Sequence, residues 1–203
     1  MKKHWTLNYI INRIKLFINQ RRHPNDPWLT KESVFLLNQL IKLTDVGFEF
    51  GSGRSTKWLG FRCKYLYSVE HNKIWFDKVS TQIKTYENIE YSQANINYTD
   101  PPKSEYLTKI KSLENSSLDF VLNDGKIRDE VALVSIEKLR EGGLYILDNA
   151  ERYLRNEFDL PASMGNDVLK MTEHWSQFFY NTSNWRRIWT TDGVSSTLIM
   201  FKP

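Results

Sequence analysis

Along the chain of 203 residues the spacing of apolar positions changes several times, and each change marks an element. Within residues 4–20, Leu7, Ile10, Ile11, Ile14, Phe17 and Ile18 fall on one helical stripe, with Arg13, Lys15 and Asn19 off it. Arg21 and Arg22 follow it. This predicts a helix whose stripe packs on its own domain or on a second copy in a homodimer. A basic amphipathic helix lying on a membrane surface is the sharper alternative. "RRHPNDPWLT" reads as a turn-rich connection, and Thr30 as an N-cap for a helix through "KESVFLLNQLIKL".

From Val46 onward, strand and helix patterns alternate. "VGFEF", "YLYSVE", "NIEYSQA", "LDFVLND" and "GGLYILDN" read as strands. "STKWLGF", "KIWFDKVSTQIKTY", "KSEYLTKIKSLE" and "RDEVALVSIEKLR" read as the helices between them. This rhythm specifies a mostly parallel sheet with helices on both faces. The ending differs, because "WRRIWTTDGVSSTLIMFKP" is two β-rich runs joined at Asp192-Gly193, an antiparallel hairpin for one edge. Residues 151–184 lack the alternation and read as a lid or substrate insertion over the sheet's carboxyl edge, with a helix near "NDVLKMTEHWSQFFY".

Composition narrows the classes. Apolar residues make up 40% and charged residues 26%, which is globular rather than disordered. The formal charge of +4 is scattered except near the N-terminus, so no nucleic-acid partner is indicated. A single cysteine, Cys63, excludes an internal disulfide and a thiolate metal cluster, and its place beside the strand run "KYLYSV" suits a small core position. Arg13 and Lys15 interrupt the N-terminal apolar segment, against a signal peptide or a membrane span. A cytoplasmic location is the expectation.

The chemistry begins at "VGFEFGSGRST". Gly51 and Gly53 stand where the first strand gives way to a helix, where glycine permits positive φ and close approach of a ligand to the main chain. Glu70 ends the next strand 19 residues after Gly51, the place of a carboxylate that accepts ribose hydroxyls. Two adenosine ligands fit that geometry. A nicotinamide dinucleotide, in an oxidoreductase, needs a third small residue where Thr56 stands, and gives Glu49 no role.

The other ligand is S-adenosylmethionine. "EFGSGRST", "SVE" at 68–70 and "LDFVLNDGKIRDEVAL…LREGGLYILDN" resemble the motifs of class I S-adenosylmethionine-dependent methyltransferases, over residues 28–203. Residues 1–27 lie outside the resemblance as a helical N-terminal extension. It implies a Rossmann-like α/β fold: a seven-stranded, mostly parallel sheet ending in an antiparallel hairpin. It also implies Glu49, Gly51, Ser52 and Gly53 around the methionine half of the cofactor, with Ser55 where many members carry a third glycine. Glu70 would take the ribose, His71 or Asn72 the adenine face, and "SQAN", through Asn95, the adenine edge.

Asp124 and Asp148-Asn149 end the fourth and fifth predicted strands, at the edge where open α/β sheets bind ligands. Two readings stand. Asp124, Asp148 and Asn149 could bind Mg²⁺, an arrangement similar to that of cation-dependent catechol-type O-methyltransferases. Those members carry a lysine three residues past the first aspartate, where this chain has Ile127 between Lys126 and Arg128. In the metal-free reading Asp124, then Asp148, orients or deprotonates the acceptor. His174 is a further candidate base if its segment covers the site, whereas His4 and His23 precede the core. Trp28, Trp175, Trp185, Phe178, Phe179 and Tyr180 suit core or an acceptor pocket. Arg128, Arg152 and Arg155 suit solvated charges or recognition of an acidic group. The expected activity is methylation, at oxygen, of a small hydroxylated acceptor. A non-catalytic binding protein of the same fold is the remaining alternative.

Overall fold

Successive strand residues point to opposite faces of a sheet, so the strand sequences encode two separate apolar layers. The computed structural model describes residues 6–96 and 105–203. Its strands are β1 (Val46–Phe50), β2 (Tyr65–Glu70), β3 (Ile89–Gln93), β4 (Leu118–Asn123), β5 (Leu139–Asp148), β6 (Arg186–Thr191) and β7 (Ser196–Phe201). They form one seven-stranded sheet in the order β3-β2-β1-β4-β5-β7-β6. All pairings are parallel except those of β7 with β5 and β6. Phe48, Phe50, Val121, Tyr145 and Leu147 feed one layer, while Phe120, Leu122, Leu144 and Ile146 feed the other. Helices α2 (Lys31–Leu40) and α3 (Arg54–Gly60) cover the second layer through Leu37, Trp58 and Leu59. Helices α5 (Thr108–Ser112), α6 (Arg128–Lys138) and α7 (Glu173–Asn181) cover the first through Ile110, Val131, Ala132, Trp175 and Phe178. Helix α4 (Lys73–Ile83) lies between β2 and β3 in the chain. Inside the sheet, a Cβ on Gly47 would sit 2.0 Å from Phe120 Cζ, so this position must be bare for the ring to pass.

Several expectations change. Helix α1 (Leu7–Arg22) forms, but its apolar stripe does not pack on the domain: Leu7, Ile10, Ile11, Ile14, Phe17 and Ile18 are all exposed. The half-buried side of α1 is the opposite one, with Tyr9, Asn12, Leu16, Asn19 and Gln20. His4 and Trp5 lie outside the described residues. Thr30 occupies the N-cap position of α2 without capping a backbone N–H. Its hydroxyl donates to Ser33 Oγ (2.8 Å) and pairs with Thr190, tying α2 to the edge strand β6. The helix expected over 103–114 is a 3₁₀ turn at Glu105–Leu107 followed by the short α5, and residues 103 and 104 lie outside the described residues. The expected helix through Arg140 stops at Lys138, because Leu139 and Arg140 already belong to β5.

Residues 151–184 contain α7 and a 3₁₀ turn at Val168–Lys170, and they are fastened rather than loosely draped. Leu154, Trp175 and Phe178 are buried in the same layer as Tyr145, with the Phe178 and Tyr145 rings tilted at 49° and 5.0 Å apart.

Candidate active site

The sheet order reverses between β1 and β4, and at such a switch point the carboxyl ends of the strands open a crevice. Gly51 turns the chain there with φ 86°, and its N–H donates to Val69 O at 3.0 Å. A Cβ on Gly51 would lie 2.8 Å from Asp124 O and 2.8 Å from Gly125 Cα. The first glycine is thus required by the close pass of the loop over the end of β4. Gly53 departs from the expectation of positive φ: it is extended (φ 177°), and a Cβ there would meet nothing closer than 3.8 Å.

Two carboxylates hold this loop. Glu70 Oε2 accepts from Ser52 N (2.9 Å) and Ser52 Oγ (3.1 Å), and Glu70 Oε1 accepts from Asn72 N (2.7 Å). Beneath the loop, Glu49 Oε2 accepts from Thr56 Oγ1 and Ser68 Oγ, both at 2.6 Å. Thr56 Oγ1 in turn accepts from Gly53 N (2.9 Å). The other Glu49 oxygen is buried without a hydrogen-bond partner. Burial pushes the Glu49 carboxyl up to about 7, against the opposing pull of the nearby Ser55, Ser68 and Thr56 hydroxyls. From the far side, Trp75 Nε1 donates to Ser52 O, and Tyr91 OH lies 2.6 Å from Ser52 Oγ.

Above the loop is a cavity of about 490 Å³ lined by Gly51, Ser52, Glu70, His71, Asn72, Ile74, Trp75, Asp124, Gly125, Lys126 and Arg128. It brings together Gly51, Ser52, Glu70, His71 and Asp124 of the residues expected around a cofactor. His71 Nδ1 lies 2.9 Å from Glu70 Oε1. Glu49 and Ser55 lie buried outside the lining, and Gly53 is not part of it. Asn95 is exposed, and its N–H donates to Glu105 Oε2 at 3.3 Å. Trp75 and Ile74 are additions from α4; an aromatic on an amphipathic helix gives no sign of turning toward a loop.

The ends of β4 and β5 meet around Arg128. Its Nη2 donates to Asp124 Oδ1 (2.8 Å) and Asp124 O (2.9 Å), its Nε to Gly125 O (2.9 Å), and its Nη1 to Asp148 O. Ile127, with φ 41°, supplies the left-handed turn just before it, an unusual conformation for a β-branched residue. Asp148 accepts from Thr197 Oγ1 (3.2 Å) and lies in hydrogen-bonding reach of Asp124. Burial raises the Asp124 carboxyl despite Arg128, and it raises Asp148 well above the usual range, with the Asp124 charge adding to the effect. The signal for Arg128 was legible as an acid and a base four residues apart across a strand-to-helix turn.

This arrangement does not fit Mg²⁺ at Asp124, Asp148 and Asn149. A guanidinium already supplies the cation between the two strand ends, and Asn149 (φ 52°) turns the chain into a 3₁₀ turn at Ala150–Arg152. Among the described residues, no group of three or more His, Cys, Asp or Glu side chains is placed to hold a metal ion. His174 stands on the exposed side of α7, 3.8 Å from Asp129 Oδ2, and lines neither this cavity nor the next.

A second cavity, of about 440 Å³, shares Gly125, Lys126 and Arg128 with the first. Ile127, Asp129, Arg152, Tyr153, Lys170, Thr172 and Trp175 complete its wall. Tyr153 stacks on Trp175 at 5.4 Å, and Arg128 lies 5.5 Å over the Tyr153 ring. Of the aromatics noted in the sequence, Trp175 alone is in this wall; Phe178 and Trp185 are core, and Trp28 packs 6.2 Å from Trp75. Arg155 is exposed and lines a separate recess.

A switch-point cavity, a carboxylate closing β2 and an antiparallel β5-β7-β6 ending define a Rossmann-like methyltransferase fold. Solved structures agree. A caffeoyl-CoA O-methyltransferase-like protein from Staphylococcus aureus superposes with a TM-score of 0.59 at 13% identity, over 99% of this chain and 95% of that one. An O-methyltransferase from Bacillus cereus, in complex with S-adenosylhomocysteine, gives 0.59 at 14% identity, over 95% and 90%. A methyltransferase from Geobacter sulfurreducens gives 0.58 at 9% identity, over 94% and 88%. The fold is therefore that of class I S-adenosylmethionine-dependent methyltransferases. No family model and no curated protein matches the sequence.

Proposed function

We propose that the protein uses S-adenosylmethionine to methylate an oxygen of a small hydroxylated acceptor carrying an anionic group. The observation that carries this reading is the pair of adjoining cavities, with Asp124 in the wall of the first and Arg128 shared by both. Glu70, His71, Ser52 and Trp75 would hold the cofactor in the first cavity. When bound, the cofactor supplies a methyl group already activated on a sulfonium. The chain's task is then to position an acceptor hydroxyl and take its proton. Asp124 is the group for that proton, because its raised affinity makes it a better base than an ordinary carboxylate. The second cavity would seat the acceptor. Lys126, Arg128, Arg152 and Lys170 line it against the single acid Asp129, which favours a phosphate or carboxylate on the acceptor. The B. cereus neighbour, an O-methyltransferase, supports oxygen as the acceptor atom.

Calorimetric titration with S-adenosylhomocysteine and with NAD tests the cofactor; binding of NAD alone would overturn the reading in favour of an oxidoreductase. Methyl transfer from labelled S-adenosylmethionine is then measured across matched pairs of hydroxy compounds with and without a phosphate. Transfer to the phosphorylated members is expected. Cofactor binding with no transfer to any member would favour the non-catalytic alternative.

A further inference from the structure

We propose that the outward face of α1 docks on an anionic lipid surface, with the helix lying in the plane of the membrane. The anomaly is energetic: six large apolar side chains of one helix stand in water, with Leu7 73%, Ile14 54% and Phe17 55% exposed. The exposure is fixed by how the helix is held. Arg54 Nη1 donates to Gln20 O (3.5 Å). Asn12 is pressed so close to the hairpin turn that a Cβ on Gly193 would lie 2.0 Å from its Nδ2. Asn12 and Gln20 both belong to the side away from the stripe, so turning the stripe inward would break the contacts that place the helix.

Charge selects the partner. At about 100° per residue, Arg13 borders the stripe on one side and Lys15 and Arg22 on the other. Arg21 ends it, stacked 4.5 Å over Phe17. No acidic residue occurs in Leu7–Arg22, and Lys2 and Lys3 precede it in the sequence. Long cationic side chains along the border of an apolar face can keep their charges among headgroups while their stems and the stripe sink into the acyl boundary. A second copy meets the opposite situation, since two such helices face to face would bring cations together with no acid on either. Sixteen residues span roughly 24 Å, short of a bilayer's hydrocarbon core. No helix among the described residues is long and apolar enough to cross a membrane.

The test is co-sedimentation of the full chain with phosphatidylcholine vesicles, with and without phosphatidylglycerol. Partition onto the anionic vesicles should be at least about tenfold stronger and should weaken with added salt. The double variant Ile14→Ser with Phe17→Ser, and separately Arg13→Glu with Arg21→Glu, should each reduce it about tenfold or more. Both change exposed side chains only, so melting temperature and S-adenosylhomocysteine affinity should stay at wild-type values. No partition, equal partition onto both vesicles, or partition unaffected by both variants would overturn the proposal. So would a dimer in sedimentation equilibrium that Ile14→Ser with Phe17→Ser turns into a monomer, which would assign the face to a second copy.

Discussion

Glu49 sits under the Gly51–Gly53 loop with one oxygen accepting from Thr56 and Ser68 and the other unpartnered, and its carboxyl is raised from 4.5 to about 7. A folded-state value above the unfolded one means that the native protein binds more protons across that window. Stability conferred at low pH is therefore lost as pH rises toward 7, and the loss is complete above it. A displacement of that size corresponds to about 3 kcal/mol. Glu49→Gln removes the titration and keeps the shape. Its amide oxygen still accepts from Thr56 and Ser68, while the NH₂ group takes the unpartnered place at a pH-independent cost of about 1–3 kcal/mol. The variant should be less stable than wild type near about pH 5 and should gain about 3 kcal/mol relative to it by about pH 8. Urea unfolding of both proteins at several pH values isolates the effect, because every other titrating group is common to the two. A stability difference that stays constant across the window would refute the assignment of a buried, protonatable Glu49.

Removing the loop's other carboxylate should act on ligand affinity. Glu70→Ala leaves the N–H groups of Ser52 and Asn72 without their acceptor and should weaken S-adenosylhomocysteine binding about 10- to 100-fold by calorimetry. Asp124→Asn should lower kcat by about 10²–10⁴ while leaving S-adenosylhomocysteine affinity within a few-fold; an unchanged kcat would remove it as the base. The wild-type rate should fall as pH drops through the raised Asp124 value, since protonation removes the acceptor of the hydroxyl proton. Gly47→Ala drives a Cβ into the Phe120 ring and should cost about 1–3 kcal/mol in urea unfolding, relieved in part by adding Phe120→Leu. Dialysis against a chelator should leave activity unchanged, because Arg128 provides the cation at the strand ends.

Legibility followed the range of the interactions. Strand identity and the hairpin depend on local pattern: Phe48 and Phe50 alternate with Gly47 and Glu49, and Asp192-Gly193 turns with φ 77° at the glycine. Glu70 was legible from its distance to Gly51, since both ends of that spacing are fixed by strand–turn geometry. Gly51 and Gly53 looked alike in sequence, yet only Gly51 is pressed by another segment, the end of β4, far along the chain. The stripe of α1 is helical as its spacing specifies, but it does not pack on its own domain, one of the coverings that spacing allows. Its amphipathicity specifies that a face will be covered, but not by what, and the domain holds the helix through Asn12 and Gln20 instead. Trp75 reaches the loop through a single hydrogen bond to Ser52 O, which no periodicity announces.

One side chain decides what the ends of β4 and β5 can hold. Asp124, Asp148 and Asn149 offer oxygen atoms at one edge, and two carboxylates so close together, one of them buried, need a positive charge. Arg128 provides it covalently, from the first position of α6, through donors to Asp124, Gly125 and Asp148. A guanidinium cannot be neutralised at any working pH, so this charge is permanent. Asp148 keeps its proton to higher pH than an ordinary carboxylate, because burial and the neighbouring Asp124 charge both disfavour its ionised form. The same balance suits proton removal. Burial outweighs Arg128 and leaves the Asp124 carboxyl raised. The strand ends thus present a carboxylate held by an arginine, which is the arrangement the proposed proton removal requires.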